Sequence, residues 1–170
     1  DIYADRPRSA WPRLGGRIQM ATNPLDVDGL MAEIAGDETW RGMPDGTRIG
    51  HVHLHVADLA RAEAFYHGVL GFDLIMRYGS QAAFVSAGGY HHHVGFNTWA
   101  GAGASTPPPD SVGLEYFTIF LPSEQELDME KKRIRDTGLG WDEMEGGIRL
   151  HDPSGNGVLL GLEKALVRPR

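Results

Sequence analysis

The sequence predicts an α+β fold of two tandem βαβββ modules, forming one domain with a cleft between curled mixed sheets. Three observations carry that expectation. An alternating stretch from Ile49 to Val56 leads directly into a helix that Asp58 caps and Gly71 stops. Short alternating strands follow it, separated by Gly79-Ser80 and Gly88-Gly89. The same order then restarts in register: His51 corresponds to Tyr116 and the cap Asp58 to Ser123, each pair 65 residues apart.

Each element has its own local reason. In IGHVHLHV, period two puts His51, His53 and His55 on one face and Val52, Leu54 and Val56 on the other. Leu59, Ala62, Tyr66, Val69 and Leu70 recur at helical spacing behind Asp58. Leu74–Tyr78, Ala82–Ser86 and His91–Trp99 read as strands. The segment from Ala100 to Ser111 carries three consecutive prolines and no apolar period, so it is a linker. Leu114–Leu121 is the next strand, and Ser123 with Glu126 forms a capping box for a helix that Gly138 ends. Trp141–Met144, Ile148–His151 and Val158–Leu162 complete the second module, the last two joined by the turn DPSGNG.

The domain is expected over 49–162, with modules at 49–100 and 112–162 and a short tail at 163–170. Residues 1–48 read as an irregular extension or linker from a preceding domain, because Pro7, Pro12, Pro24 and Pro44 with several glycines forbid long elements. One short helix, Val27 to Ile34 behind the cap Asp26, is expected there, with Trp11 and Trp40 as anchors.

Composition narrows the function. A net charge of −7 over 170 residues argues against nucleic acid or an anionic membrane as partner. No apolar run of about 18 residues exists to span a bilayer, and no secretory signal is visible. Without cysteine, any metal must be held by imidazole, carboxylate or phenolate. A cytoplasmic location is compatible with all of this.

The chemistry lies in the histidines. Beside His51, His53 and His55 stands the run His91-His92-His93, leading into Val94, Gly95, Phe96 and Asn97. Strict alternation groups His92 with the apolar Val94 and Phe96, and turns His91, His93 and Asn97 to the other face. His51 and His93 are thereby the expected metal-ligand or acid–base pair, with His53, His55, His91 and Asn97 lining the cleft. His67 and His151 read as surface residues. The symmetry mate of His51 is Tyr116, and the final strand offers Val158, Leu159 and Leu160 rather than a carboxylate. Such a site should hold Zn or Ni weakly and Fe(II) poorly, or no metal at all, because two imidazoles lack the oxygen donor a harder ion prefers.

GHVHLHV, the helix ending FYHGVLGF, the strand YHHHVGFNTW and the turn DPSGNG together resemble the vicinal oxygen chelate superfamily of glyoxalases, bleomycin-resistance proteins and extradiol dioxygenases. The resemblance covers about 49–162 and is closest to the carboxy-terminal domain of catechol 2,3-dioxygenase-like proteins. Asp1 to Arg8 resembles the last strand of a preceding domain, with Asp1 where that domain would place a glutamate ligand. The resemblance implies a domain of a non-heme Fe(II) extradiol dioxygenase cleaving a catechol-like diol, here in complete or degenerate form. It implies metal-ligand positions at His51, Tyr116 and Leu159, of which only the first carries the residue type that the family uses, and an acid–base histidine within His91 to His93. His93 and Tyr116 are the catalytic candidates. A glyoxalase-like isomerase or lyase and a non-catalytic small-molecule-binding domain are the alternative readings. The implied partners are a small aromatic or vicinal-oxygen ligand and either a preceding domain or a second copy of the chain.

Overall fold

The computed structural model describes residues 6–20, 24–34, 36, 39–108 and 110–163. The chain divides into two compact units, Asp1–Gly50 and His51–Arg170.

In the first unit a single 3-10 turn, Arg8–Ala10, precedes a minimal hairpin. Its strands β1 (Arg13–Leu14) and β2 (Arg17–Ile18) pair antiparallel across Gly15 and Gly16. Both glycines have positive φ, 58° and 79°, the backbone that a two-residue hairpin loop requires. Four paired residues are too few to leave an alternating pattern, so this hairpin is invisible in the sequence. Helix α1 (Val27–Ala32) starts where expected, with Asp26 Oδ1 accepting from Gly29 N at 2.9 Å. It ends two residues before Ile34 and buries none of its own side chains. The Trp11 indole donates to the Arg6 carbonyl, and Trp40 is exposed. The strand expected over Asp1 to Arg8 falls largely outside the described residues, as does most of the tail.

The second unit holds two four-stranded mixed sheets, each built from one βαβββ module. The first module comprises β3 (Val52–His55), α2 (Leu59–Glu63), β4 (Asp73–Tyr78), β5 (Ala82–Ser86) and β6 (Val94–Asn97). Its strand order is β3-β6-β5-β4, with β3 parallel to β6 and the remaining pairs antiparallel. The second comprises β7 (Tyr116–Leu121), α3 (Glu124–Asp136), β8 (Asp142–Met144), β9 (Gly147–His151) and β10 (Gly157–Leu162). Its order, β7-β10-β9-β8 with β7 parallel to β10, repeats the first. Both expected caps are made: Asp58 Oδ1 accepts from Arg61 N at 3.0 Å and Ser123 Oγ from Glu126 N at 3.2 Å.

One helix departs from expectation. After Glu63 the α-helical ladder widens into a π-helical turn, Ala64–Val69, where Leu70 N donates to Phe65 O. The wider turn lets the consecutive Phe65 and Tyr66 both be buried. Their rings meet edge to face at 5.0 Å, and Tyr66 stacks on Phe96 of β6.

Among the described residues, one apolar cluster spans both modules. Leu54, Val56, Val85, Val94 and Phe96 pack with Ala62, Phe65 and Tyr66, and the cluster continues through Leu127, Ile134, Ile148, Leu150, Val158 and Leu160. The even-numbered residues of β3 and β6 are thus committed to the core. The odd positions of β3, which carry the histidines, face the opposite side of the sheet. Among the described residues no helix is long and apolar enough to cross a membrane.

Candidate metal centre

His53 lies on β3, and the parallel register places it beside Gly95 of β6. A Cβ at position 95 would stand 2.9 Å from His53 Cε1, so the glycine leaves the space that the imidazole occupies. His51 is half-buried one residue before β3. The third ring comes from His92, 8% exposed, in the segment that enters β6.

These three rings converge. His53 Nε2 and His92 Nε2 are 3.2 Å apart. The His51 ring centroid is 4.4 Å from that of His92 and 5.1 Å from that of His53. One ligating nitrogen from each residue lies within 4.8 Å of the others. Phe84 of β5 closes one side, its ring 5.0 Å from His92 and 5.8 Å from His53.

Burial controls the protonation of the group. Desolvation, reinforced by the neighbouring imidazoles, pushes His92 down to about 3. Burial lowers His51 and His53 as well, helped by His91 for the first and by His51 for the second. The three rings are neutral at physiological pH, the form in which imidazole binds a metal.

Two further observations fit a divalent ion. The Nδ1 atom of His51 is buried without a hydrogen-bond partner, an arrangement that is costly in a metal-free interior. Two nitrogens at about 2.1 Å from one tetrahedral or octahedral ion stand about 3.0–3.4 Å apart, and the observed His53–His92 separation lies in that range. The donor set is all nitrogen. It suits ions that accept imidazole and provides no carboxylate for a harder, oxygen-seeking one.

The remaining histidines and cleft candidates are distributed around this group. His93 is not gathered with His51, because the strict alternation expected across His91 to Asn97 fails at the strand entrance. β6 begins only at Val94. His93 Nδ1 accepts from Ala87 N at 3.1 Å and lies 3.2 Å from Ser86 Oγ. Its ring lies against Tyr90 and near the core residue Phe72. His92, assigned by alternation to the apolar face, takes the place expected for His93. The missed signal is Gly95, whose register opposite His53 marks where β3 and β6 leave room for rings.

His91 stands at the edge of the cluster, 5.8 Å from His51 and 4.7 Å from His92 between ring centroids. His55 is exposed, and Asn97 is buried with its Oδ1 accepting from Trp99 N. His67 Nδ1 is 2.6 Å from the Phe72 carbonyl, to which it donates. Tyr116, half-exposed, opposes Gly157 at the start of β7, and Leu159 is buried on β10. The second sheet carries a separate open cavity of about 270 Å³ between Trp141, Asp142, Arg149 and His151, with none of the three clustered histidines in its wall.

Two βαβββ modules, each with its first strand parallel to its last, define a paired-module α+β domain, and three imidazoles on one of its sheets are grouped closely enough to hold a metal ion. The family model for the Glyoxalase/Bleomycin resistance protein/Dioxygenase superfamily matches residues 48–160, and the chain belongs to that superfamily. Among curated proteins it is 49% identical over 155 residues to the catechol-2,3-dioxygenase of Bacillus subtilis (strain 168). That match covers 90% of this chain and 54% of the relative, so the chain spans about half of the protein it resembles. Among solved structures, a lactoylglutathione lyase from Agrobacterium tumefaciens superposes with a TM-score of 0.57 at 24% identity, covering 74% of this chain and 100% of that one. A glyoxalase/dioxygenase from Nostoc punctiforme gives 0.56 at 15% identity, over 72% of this chain and 97% of that one. These likenesses establish the shared fold.

Proposed function

We propose that the chain is the metal-binding domain of a non-heme ring-cleaving dioxygenase acting on a catechol-like diol. The carrying observation is the convergence of His51, His53 and His92, read together with 49% identity to a catechol-2,3-dioxygenase. His51 keeps the ligand role expected from its place at the head of the first strand, and His53 and His92 supply the second and third nitrogens. A divalent ion bound there would supply Lewis-acid activation of a vicinal diol and a binding position for oxygen. The protein's own residues do the rest. Phe84 walls the group from one side, raising the cost of charging the rings and keeping their lone pairs available. His91, beside His51 and outside the three, is the group placed to move a proton. His93 and Tyr116 remain catalytic candidates of the longer enzyme.

The nitrogen-only donor set favours a second reading: a supporting domain that binds an ion such as Zn(II) or Ni(II) while ring cleavage is completed elsewhere in a longer protein. Oxygen uptake with catechol after Fe(II) loading separates the two. Uptake by this chain assigns it the chemistry. Stoichiometric Zn(II) binding without uptake assigns it the supporting role. In calorimetric titration at neutral pH, His51→Ala, His53→Ala and His92→Ala should each abolish tight Zn(II) binding, and His67→Ala and His151→Ala should leave it unchanged. Undiminished binding in the first three removes the metal reading.

A further inference from the structure

The DPSGNG turn between β9 and β10 makes contacts that a turn does not need for its own shape. Asp152 is 4% exposed, and its carboxylate accepts four hydrogen bonds. Ser154 N and Asn156 N donate to Oδ1 at 2.8 and 2.9 Å. Asn156 Nδ2 at 2.8 Å and the buried Tyr66 hydroxyl at 2.9 Å donate to Oδ2. Held in this way, the turn reaches across to the other module. Ala57 N donates to Ser154 Oγ at 2.9 Å, and Asn156 Nδ2 donates to the His55 carbonyl at 3.3 Å.

Both bonds fall on one edge of β3. Val52 N and Val56 N donate towards β6, to His93 O and Asn97 O. The backbone groups of His53, His55 and Ala57 therefore point to the other edge, where the turn engages His55 and Ala57. The linker adds Gly103 N donating to Ala57 O, and Thr106 Oγ1 donating to Ser154 O. β3 is thus held along one edge by its sheet and at its far end by the opposite module. It carries His53, and His51 stands one residue before its start.

We propose that Asp152 is a positioning residue for the three-imidazole centre, acting through Ser154 and Asn156 to fix the height and tilt of the histidine strand. This rests on the metal reading above. Residues that orient ligands from outside the coordination shell typically change metal affinity by about 10–100-fold when lost. Asp152→Asn puts an amide donor where an acceptor oxygen meets one of the inward N–H groups, loosening the turn while preserving its size. Tyr66→Phe removes one of the four bonds to Asp152 and leaves every bond from the turn to β3 in place, so it serves as the destabilised control.

The test uses this chain stripped of metal. Zn(II) affinity is measured by competition with a chelating indicator, the ligand field by Co(II) absorption, and the unfolding temperature in EDTA. Asp152→Asn should weaken Zn(II) about tenfold and shift the Co(II) bands. Tyr66→Phe should lower the unfolding temperature and leave both metal readouts within about twofold of the unaltered protein, because its bond lies away from β3. Ser154→Ala, which removes the acceptor for Ala57 N alone, should move the metal readouts in the same direction and serves if Asp152→Asn fails to fold. Affinity losses that merely track unfolding temperature across all the variants overturn the positioning role. So does unchanged binding in Asp152→Asn and Ser154→Ala. Failure of the unaltered chain to bind Zn(II) overturns the metal reading instead, a result the EDTA and Co(II) measurements make plain on their own.

Discussion

Gly95 shows how much of the centre depends on an absent side chain. The first side-chain atom of any larger residue there would meet the His53 ring at 2.9 Å. An imidazole on a flexible side chain can swing aside at modest cost, so Gly95→Ala should fold with little loss of stability. It should displace His53 from His92 and weaken Zn(II) binding severalfold or more, which calorimetry on the variant would register. His92 supports a second prediction. Its folded-state pKa of about 3 lies below the unfolded value of about 6.5. Without metal, the unfolded chain takes up a proton that the folded chain refuses. Stability is therefore complete above about pH 6.5 and is lost progressively as pH falls towards 3. The lowered values of His51 and His53 act in the same direction. Urea midpoints in EDTA at about pH 7.5 and about pH 5 should differ by more in the unaltered protein than in His92→Gln, and equal differences would contradict this account. His92 also marks the limit of what the sequence discloses about the site. The presence of two histidine clusters is legible, but which member of His91-His92-His93 enters the group depends on where the β6 ladder begins. That is set by His93 N pairing with Val85 O, a contact between β5 and the residue just before β6.

At the level of elements, local chemistry was a good guide wherever a side chain closes on its own neighbourhood. Asp26, Asp58 and Ser123 each bond the backbone N–H three residues on, so three helix starts could be read directly. Helix and strand interiors shaped by tertiary packing were less legible. The π-helical turn at Ala64–Val69 arises because Phe65 and Tyr66 must both reach the core, a demand that helical spacing alone does not announce. The β1–β2 hairpin is too short to have a period at all. The repeat itself is legible because it is kept in the pairing: Val52 faces Val94 in one sheet as Phe117 faces Val158 in the other.

The residues from His51 onward behave as one body because their apolar cluster is continuous across both modules. Ile134 of α3 is fully buried within it. Ile134→Ala should cost about 2–5 kcal/mol, and the loss should be felt by both modules together. Calorimetric unfolding should show a single transition for this body, shifted down in the variant. Separate melting of the first module, followed through histidine resonances, would show that the modules are energetically independent. The three grouped histidines sit wholly in the first module, so the second supplies no member of the group.

The parallel pairing of β3 with β6 also sets a timetable. His53 and His92 are 39 residues apart, and the strand that completes the ladder is the last of its module to be made. At about 5–20 residues per second, a ribosome extends the chain for several seconds between the two rings. Throughout that interval the newborn histidine strand has no neighbour on its inner edge and no third imidazole to share an ion with. Assembly of the three-histidine group must therefore follow strand closure. A chain arrested before β6 emerges would show an unpaired, histidine-bearing edge to whatever other strand it met first.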